Sequence, residues 1–135
     1  LAEGWLHFMT QVRQKLDLGG DLRELVIMRI AHLNGAPYEA DQHAPIALRE
    51  GLTQAQLDAL ADWPRRPEAF TPLQRDVLRL ADGMTRDVHV DDAVVQAVRD
   101  ALGERRLVEL VATIASYNMV SRFLEALRIH SDDTR

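Results

Sequence analysis

Apolar residues recur at helical spacing along the whole chain, and no segment sustains the every-second-residue alternation of a half-buried strand. The pattern predicts an all-α protein. A first helix spans roughly Ala2 to Leu16, with Trp5, Met9, Val12 and Leu16 on one stripe, and Gly19-Gly20 ends it. Asp21 opens a second helix that is apolar on nearly every side, through Leu22, Leu25, Val26, Ile27, Met28, Ile30, Ala31 and Leu33. A helix of that kind belongs in an interior. Pro37 suits the first turn of a third helix, which runs to about Glu50 and stops at Gly51. Pro45 removes a backbone donor inside that pattern, so a kink or early break is expected just past His43.

Thr53 with Gln56 and Thr71 with Gln74 have the spacing of capping boxes, the second reinforced by Pro72, and they predict two further helix starts. The segment WPRRPEAF between them reads as a rigid connector. Asp91 is placed to cap a helix through Leu102, and after Gly103 a last apolar helix runs to about His130. The expected architecture is thus a bundle of about six to seven helices in one domain covering residues 1–135. At a rise of about 1.5 Å per residue the last helix is roughly 40 Å long, against a radius of gyration near 14 Å for a domain of this size. Its apolar positions, from Leu107 to Ile129, cover most of its circumference. That is more than one small core hides, and it predicts burial against other copies of the chain.

Composition narrows the partners. A formal net charge of -5, with basic residues scattered among acids, argues against nucleic acid. No apolar run approaches the length needed to cross a bilayer, and no charged-then-apolar leader opens the chain as it stands, beginning at Leu1. A cytoplasmic protein without a membrane partner is expected. The 135 residues contain no cysteine, which excludes a thiolate nucleophile or a dithiol cycle supplied by this polypeptide.

The candidate chemistry lies in DLRELVIMRIAHLNGAPYEADQH. Glu39 and His43 are four apart and share a helix face, while Glu24 sits on the all-apolar helix, where an acid is not freely solvated. Two acids near one imidazole are the makings of a proton-transfer site. Each residue also has a plainer reading. Glu24 lies three residues after Asp21 and is spaced to reach back to the Asp21 amide. Glu39 suits the first turn of its helix through the dipole alone, and the Glu39–His43 pair matches an exposed helix-stabilising contact. Glu24, Glu39 and His43 as metal ligands form a further alternative, disfavoured because only one histidine is in the motif; no metal or cofactor is expected. Tyr38 and His32 are candidate pocket residues, or packing residues of the interior or an interface. On the last helix Asn118 and Arg122 are candidates to anchor a substrate carboxylate, Arg122 having an inter-helix ion pair as its alternative.

The spacing of Glu24, the Asn34-Gly35 turn, Tyr38 and His43 resembles the carboxymuconolactone decarboxylase superfamily, which includes the alkylhydroperoxidase D proteins. The resemblance extends from about Leu22 to Leu60, with weaker support from Tyr117, Asn118 and Arg122. In the peroxidase branch this motif carries a CxxC pair, which falls here on Ala36 and Glu39. The decarboxylase branch has no such cysteines and resembles this chain in placing an acid at Glu39, followed by the His43 match. The resemblance implies an alkylhydroperoxidase D-like bundle assembled as trimers or hexamers. It also implies a cofactor-independent acid–base enzyme for a small carboxylated or lactone-type molecule, with Glu24, Glu39 and His43 catalytic. On this reading His43 delivers a proton to carbon as carbon dioxide leaves, Glu39 orients the ring and Glu24 holds the second proton. Two rivals stand beside it: a peroxidase-family protein that has lost its thiol centre, and an oligomeric ligand-binding scaffold. Convergence of the three side chains on a reachable cavity separates enzyme from scaffold.

Overall fold

The apolar segment after Gly19 becomes the central helix of a computed structural model that describes residues 1–130. This helix, α2 (Gly20–Leu33), follows α1 (Ala2–Gln14) and precedes α3 (Pro37–Arg49) and the short α4 (Gln54–Ala59). The WPRRPEAF connector winds into two 3-10 turns, Leu60–Arg65 and Pro67–Ala69, and leads to α5 (Pro72–Arg86) and α6 (Asp92–Ala126). All regular structure among the described residues is helical, as the apolar periodicity predicts. α2 packs against α3, α5 and α6, and Leu25, Val26, Ile27, Ile30, Leu78, Leu110 and Ile114 are almost wholly buried where these helices meet. α1 lies against α6.

Both capping boxes form, with Thr53 accepting from the Gln56 amide and Thr71 from the Gln74 amide. The kink expected past His43 does not. α3 runs unbroken through Pro45, which is exposed, so the ring that carries no amide hydrogen lies on the solvent side of the helix. Asp91 occupies the N-cap of α6 but makes no side-chain capping bond. Gly103, at φ 81° and ψ 168°, interrupts α6 where the sequence places a helix boundary, a conformation essentially reserved for glycine. The last helix ends at Ala126, short of His130: the Ile129 amide donates to the Leu124 carbonyl and the Arg128 amide to that of Glu125, with Arg128 in the left-handed region. Counted as one element, α6 has the length and hydropathy of a bilayer-crossing helix, contrary to the reading of the sequence, but half of its apolar window is buried within the protein.

Two charged residues of α2 are buried, Glu24 and Arg29. Arg29 is 1% exposed, and its guanidinium grips both oxygens of Asp82 at 2.7 and 3.1 Å. It also donates to the carbonyls of Leu60 and Ala61, and the Trp63 indole donates to Asp82 at 2.9 Å. The 3-10 connector, α2 and α5 are thereby tied by a satisfied polar cluster rather than by apolar packing alone.

Candidate active site

A tight turn sets the α2–α3 angle. Gly35 takes φ 60°, and the amides of Ala36 and Gly35 donate back to the carbonyls of Ala31 and His32, the closure that commonly ends a helix on glycine. Asn34 anchors the turn to the last helix, donating to Asn118 Oδ1 at 3.0 Å and to the Ser121 hydroxyl at 2.7 Å. α3 leaves this corner with Pro37 in its first turn, and its first two turns bring Glu39 and His43 against α2.

His43 Nδ1 lies 2.7 Å from Glu24 Oε1, joining α3 to α2 across the apolar interface. Its other nitrogen, Nε2, lies 3.4 Å from Glu39 Oε2, an ion-pair distance but beyond a well-formed hydrogen bond, and Glu39 Oε2 is buried without a hydrogen-bond donor. Glu24 therefore orients the ring, the role the sequence assigns to Glu39. The second Glu24 oxygen accepts from Arg23 Nε at 2.8 Å, and Arg23 also reaches Glu50 and the Arg13 carbonyl. Tyr117 of α6 stands edge-on to the imidazole, ring centroids 5.4 Å apart.

The capping alternative for Glu24 is not realised. α2 starts on Gly19 as N-cap, which places Glu24 beyond the first turn, and its carboxylate points to His43 and Arg23. Nor is the Glu39–His43 pair an exposed contact, since both residues are buried. The two acids approach the imidazole through different ring nitrogens, so the three groups do not converge on one point as ligands of a single ion would, and no metal-binding group of three or more is found among the described residues.

The electrostatics follow from this sandwich. Burial alone would pull the imidazole below its ordinary value; the hydrogen bond to Glu24, the Glu39 contact and both negative charges outweigh it, and His43 is pushed up to about 9. Burial pushes Glu24 the other way, yet His43 and Arg23 hold it below the usual carboxylate range. At neutral pH the ring is thus an imidazolium, not the half-protonated ring of an unperturbed histidine. Burial, reinforced by the Glu39 charge, raises the Tyr117 phenol far up, so it stays protonated.

These groups open onto two adjoining hollows that share Arg13, Tyr38, Glu39 and His43. The polar one, of about 410 Å³, is completed by Gln14, Arg23, Glu24, Gln42 and Ile46. The other, of about 250 Å³, lies between α1 and α6 and is completed by Trp5, Met9, Tyr117, Val120, Phe123 and Leu124. Glu24, Glu39 and His43 therefore converge on a reachable cavity, and Tyr38 lines both halves.

The remaining candidates lie elsewhere. His32 is exposed near the end of α2, not in the interior, and lines neither hollow. Asn118 cross-links helices, accepting from Asn34 and donating to the Thr85 hydroxyl at 2.9 Å. Arg122 is exposed and donates to Asn118 one turn back, so neither substrate anchoring at this cavity nor an inter-helix ion pair describes it. Sequence reasoning missed Arg13, Arg23 and Trp5. Arg23 adjoins Glu24, a spacing at which helical side chains do not normally face one another. Arg13 and Trp5 reach the site only because α1 folds back onto α6.

An all-helical bundle holding an imidazole between two buried acids, at the joint of its second and third helices, is the class that fold and site define. The Carboxymuconolactone decarboxylase family model matches residues 1–83, and the chain belongs to that family. It is 25% identical over 121 residues to the uncharacterized protein YdfG of Bacillus subtilis (strain 168), covering 88% of this chain and 82% of that one. Among solved structures it superposes on a protein of unknown function from Agrobacterium tumefaciens, described as a candidate antioxidant defence protein AhpD. The TM-score is 0.88 at 18% identity, over 98% of this chain and 91% of the other. An uncharacterized peroxidase-related protein from Silicibacter sp. TM1040 gives 0.81 at 17% identity, over 92% of this chain and 66% of the other. The fold is AhpD-like, without a cysteine in the sequence.

Proposed function

We propose that this protein is a cofactor-independent acid–base enzyme acting on a small carboxylated or lactone-type molecule. The observation that carries the reading is the buried Glu24–His43–Glu39 array opening onto a cavity beside Arg13 and Arg23. In a decarboxylation the bond from carbon to the carboxylate breaks, carbon dioxide departs, and the electron pair stays on the substrate carbon, spread into an adjoining carbonyl. Protonating that carbon completes the reaction. The Nε2 proton of His43 suits the task, because its contact with Glu39 is long and poorly aligned whereas Nδ1 is held firmly by Glu24. After transfer the neutral ring keeps its Nδ1–H on Glu24, and Glu39 is beside Nε2 to pass back a proton from solvent.

The test is carbon dioxide release from a panel of small carboxylated lactones, followed by mass spectrometry. With any substrate turned over, His43→Gln is expected to slow the reaction by at least about a hundredfold while leaving the helical content intact. A variant as fast as the parent removes His43 from the mechanism. The fold shared with peroxidase-related proteins favours no thiol chemistry here, since the 135 residues offer no sulfur nucleophile. The same reading includes self-association in trimers or hexamers, supported by the exposed Val108 and Met119 of α6 and Leu127 at its end.

A further inference from the structure

The two hollows meeting at His43 differ in chemistry, and that difference bears on what the site accepts. In the polar half Arg23 is committed to Glu24, Glu50 and a backbone carbonyl. Arg13 is not: its guanidinium makes no hydrogen bond or ion pair among the described residues, although it lines both halves. An exposed, uncommitted guanidinium at the mouth of the cavity is suited to a carboxylate. The other half adds to the shared polar residues and Tyr117 the apolar side chains of α1 and α6, among them Trp5 and Phe123, whose rings lie 5.0 Å apart. Beyond that pair lies another, almost wholly apolar hollow that Trp5 and Phe123 also line.

We infer that the site takes an amphiphilic monocarboxylate, with its carboxylate on Arg13, its reacting carbon against His43, and an apolar tail in the hollow between α1 and α6, the Trp5–Phe123 pair limiting tail length. Together the two halves have the size of cavities that hold small organic ligands, about 300–1,000 Å³. This assignment of substrate class rests on the acid–base reading of the same site.

The test is binding, read independently of turnover. Straight-chain carboxylates from butanoate to decanoate, each beside its primary amide, are titrated by calorimetry and by tryptophan emission. The chain has two tryptophans, and Trp63 is buried on Asp82, so a ligand-linked change lost in Trp5→Phe reports the hollow. Affinity is expected to rise about fourfold per methylene until the hollow is filled and then to level off. Each amide is expected to bind at least about tenfold more weakly than its acid, a difference that Arg13→Gln abolishes. Phe123→Ala, at a residue 43% exposed and therefore tolerant of truncation, is expected to move the plateau to longer chains. Affinity independent of chain length, amides binding as well as acids, or an unmoved plateau in Phe123→Ala overturns the inference. His43→Gln is expected to keep the chain-length profile while losing turnover. A flat profile with His43-dependent turnover sinks the tail assignment alone, and an intact profile with His43-independent turnover sinks the acid–base reading alone.

Discussion

Titrating His43 perturbs the site without altering a single atom other than a proton, and the structure gives the sign of the response and its order of magnitude. In the unfolded chain the imidazole titrates near 6.5; between Glu24 and Glu39 it titrates at about 9. A raised value in the folded state means the folded protein holds the proton more tightly, so the associated stability is fully present below pH 6.5. It is lost progressively as pH rises through about 9. At 1.36 kcal/mol per unit, the interval corresponds to about 3 kcal/mol. Glu24, held below its ordinary 4.5, acts at the opposite end: its contribution is present above that value and disappears as acid protonates it. Neither the Tyr117 phenol, raised far up, nor Arg23, also raised, titrates in the window. The assay is denaturant unfolding of the parent and His43→Gln at pH 6, 7, 8, 9 and 10, taking the difference at each pH so that the other histidines cancel. The difference should shrink by about 3 kcal/mol across the series. A difference constant with pH, or a His43 proton resonance that titrates near 6.5, would refute the imidazolium sandwich.

Two further perturbations probe the scaffold. Asp82→Ala strands the Arg29 guanidinium, 1% exposed, with only carbonyls and no counter-charge, and is expected to cost about 3–5 kcal/mol in urea unfolding; a loss below 1 kcal/mol would show that the cluster is not energetically important. Gly103→Ala forces a side chain into φ 81°, ψ 168°, at a position where an added Cβ meets nothing, so backbone strain alone should cost about 1–3 kcal/mol, seen as a lowered thermal midpoint.

What the sequence made legible is what short-range physics controls. The period of apolar residues located the helices, the Thr-x-x-Gln signals located the starts of α4 and α5, and Gly103 marked the break in α6. The four-residue offset of Glu39 and His43 placed both on one face, and the apolar surroundings of Glu24 marked it as an acid needing a partner. The failures have equally local causes. Asp21 suggested a helix start, but the helix begins at Gly20, which carries Glu24 out of capping register. Pro45 suggested a break, yet it falls on an exposed face of a helix that continues through it. His32 shares its helix with the core residues but lies near the end of α2, where it is exposed. Arg13 and Trp5 were illegible because their place at the cavity depends on α1 meeting α6, a contact more than a hundred residues away along the chain that no local pattern encodes.

The Glu24–His43–Glu39 array resides in α2 and α3, bound to each other through Glu24 and His43, whereas the apolar side chains of the adjoining hollow come from α1 and α6. Changes confined to Trp5, Met9, Val120 or Phe123 can therefore redraw the contour of the hollow without disturbing that array. In a lineage of related sequences, the imidazole and its two acids can stay fixed while the shape of the space beside them drifts.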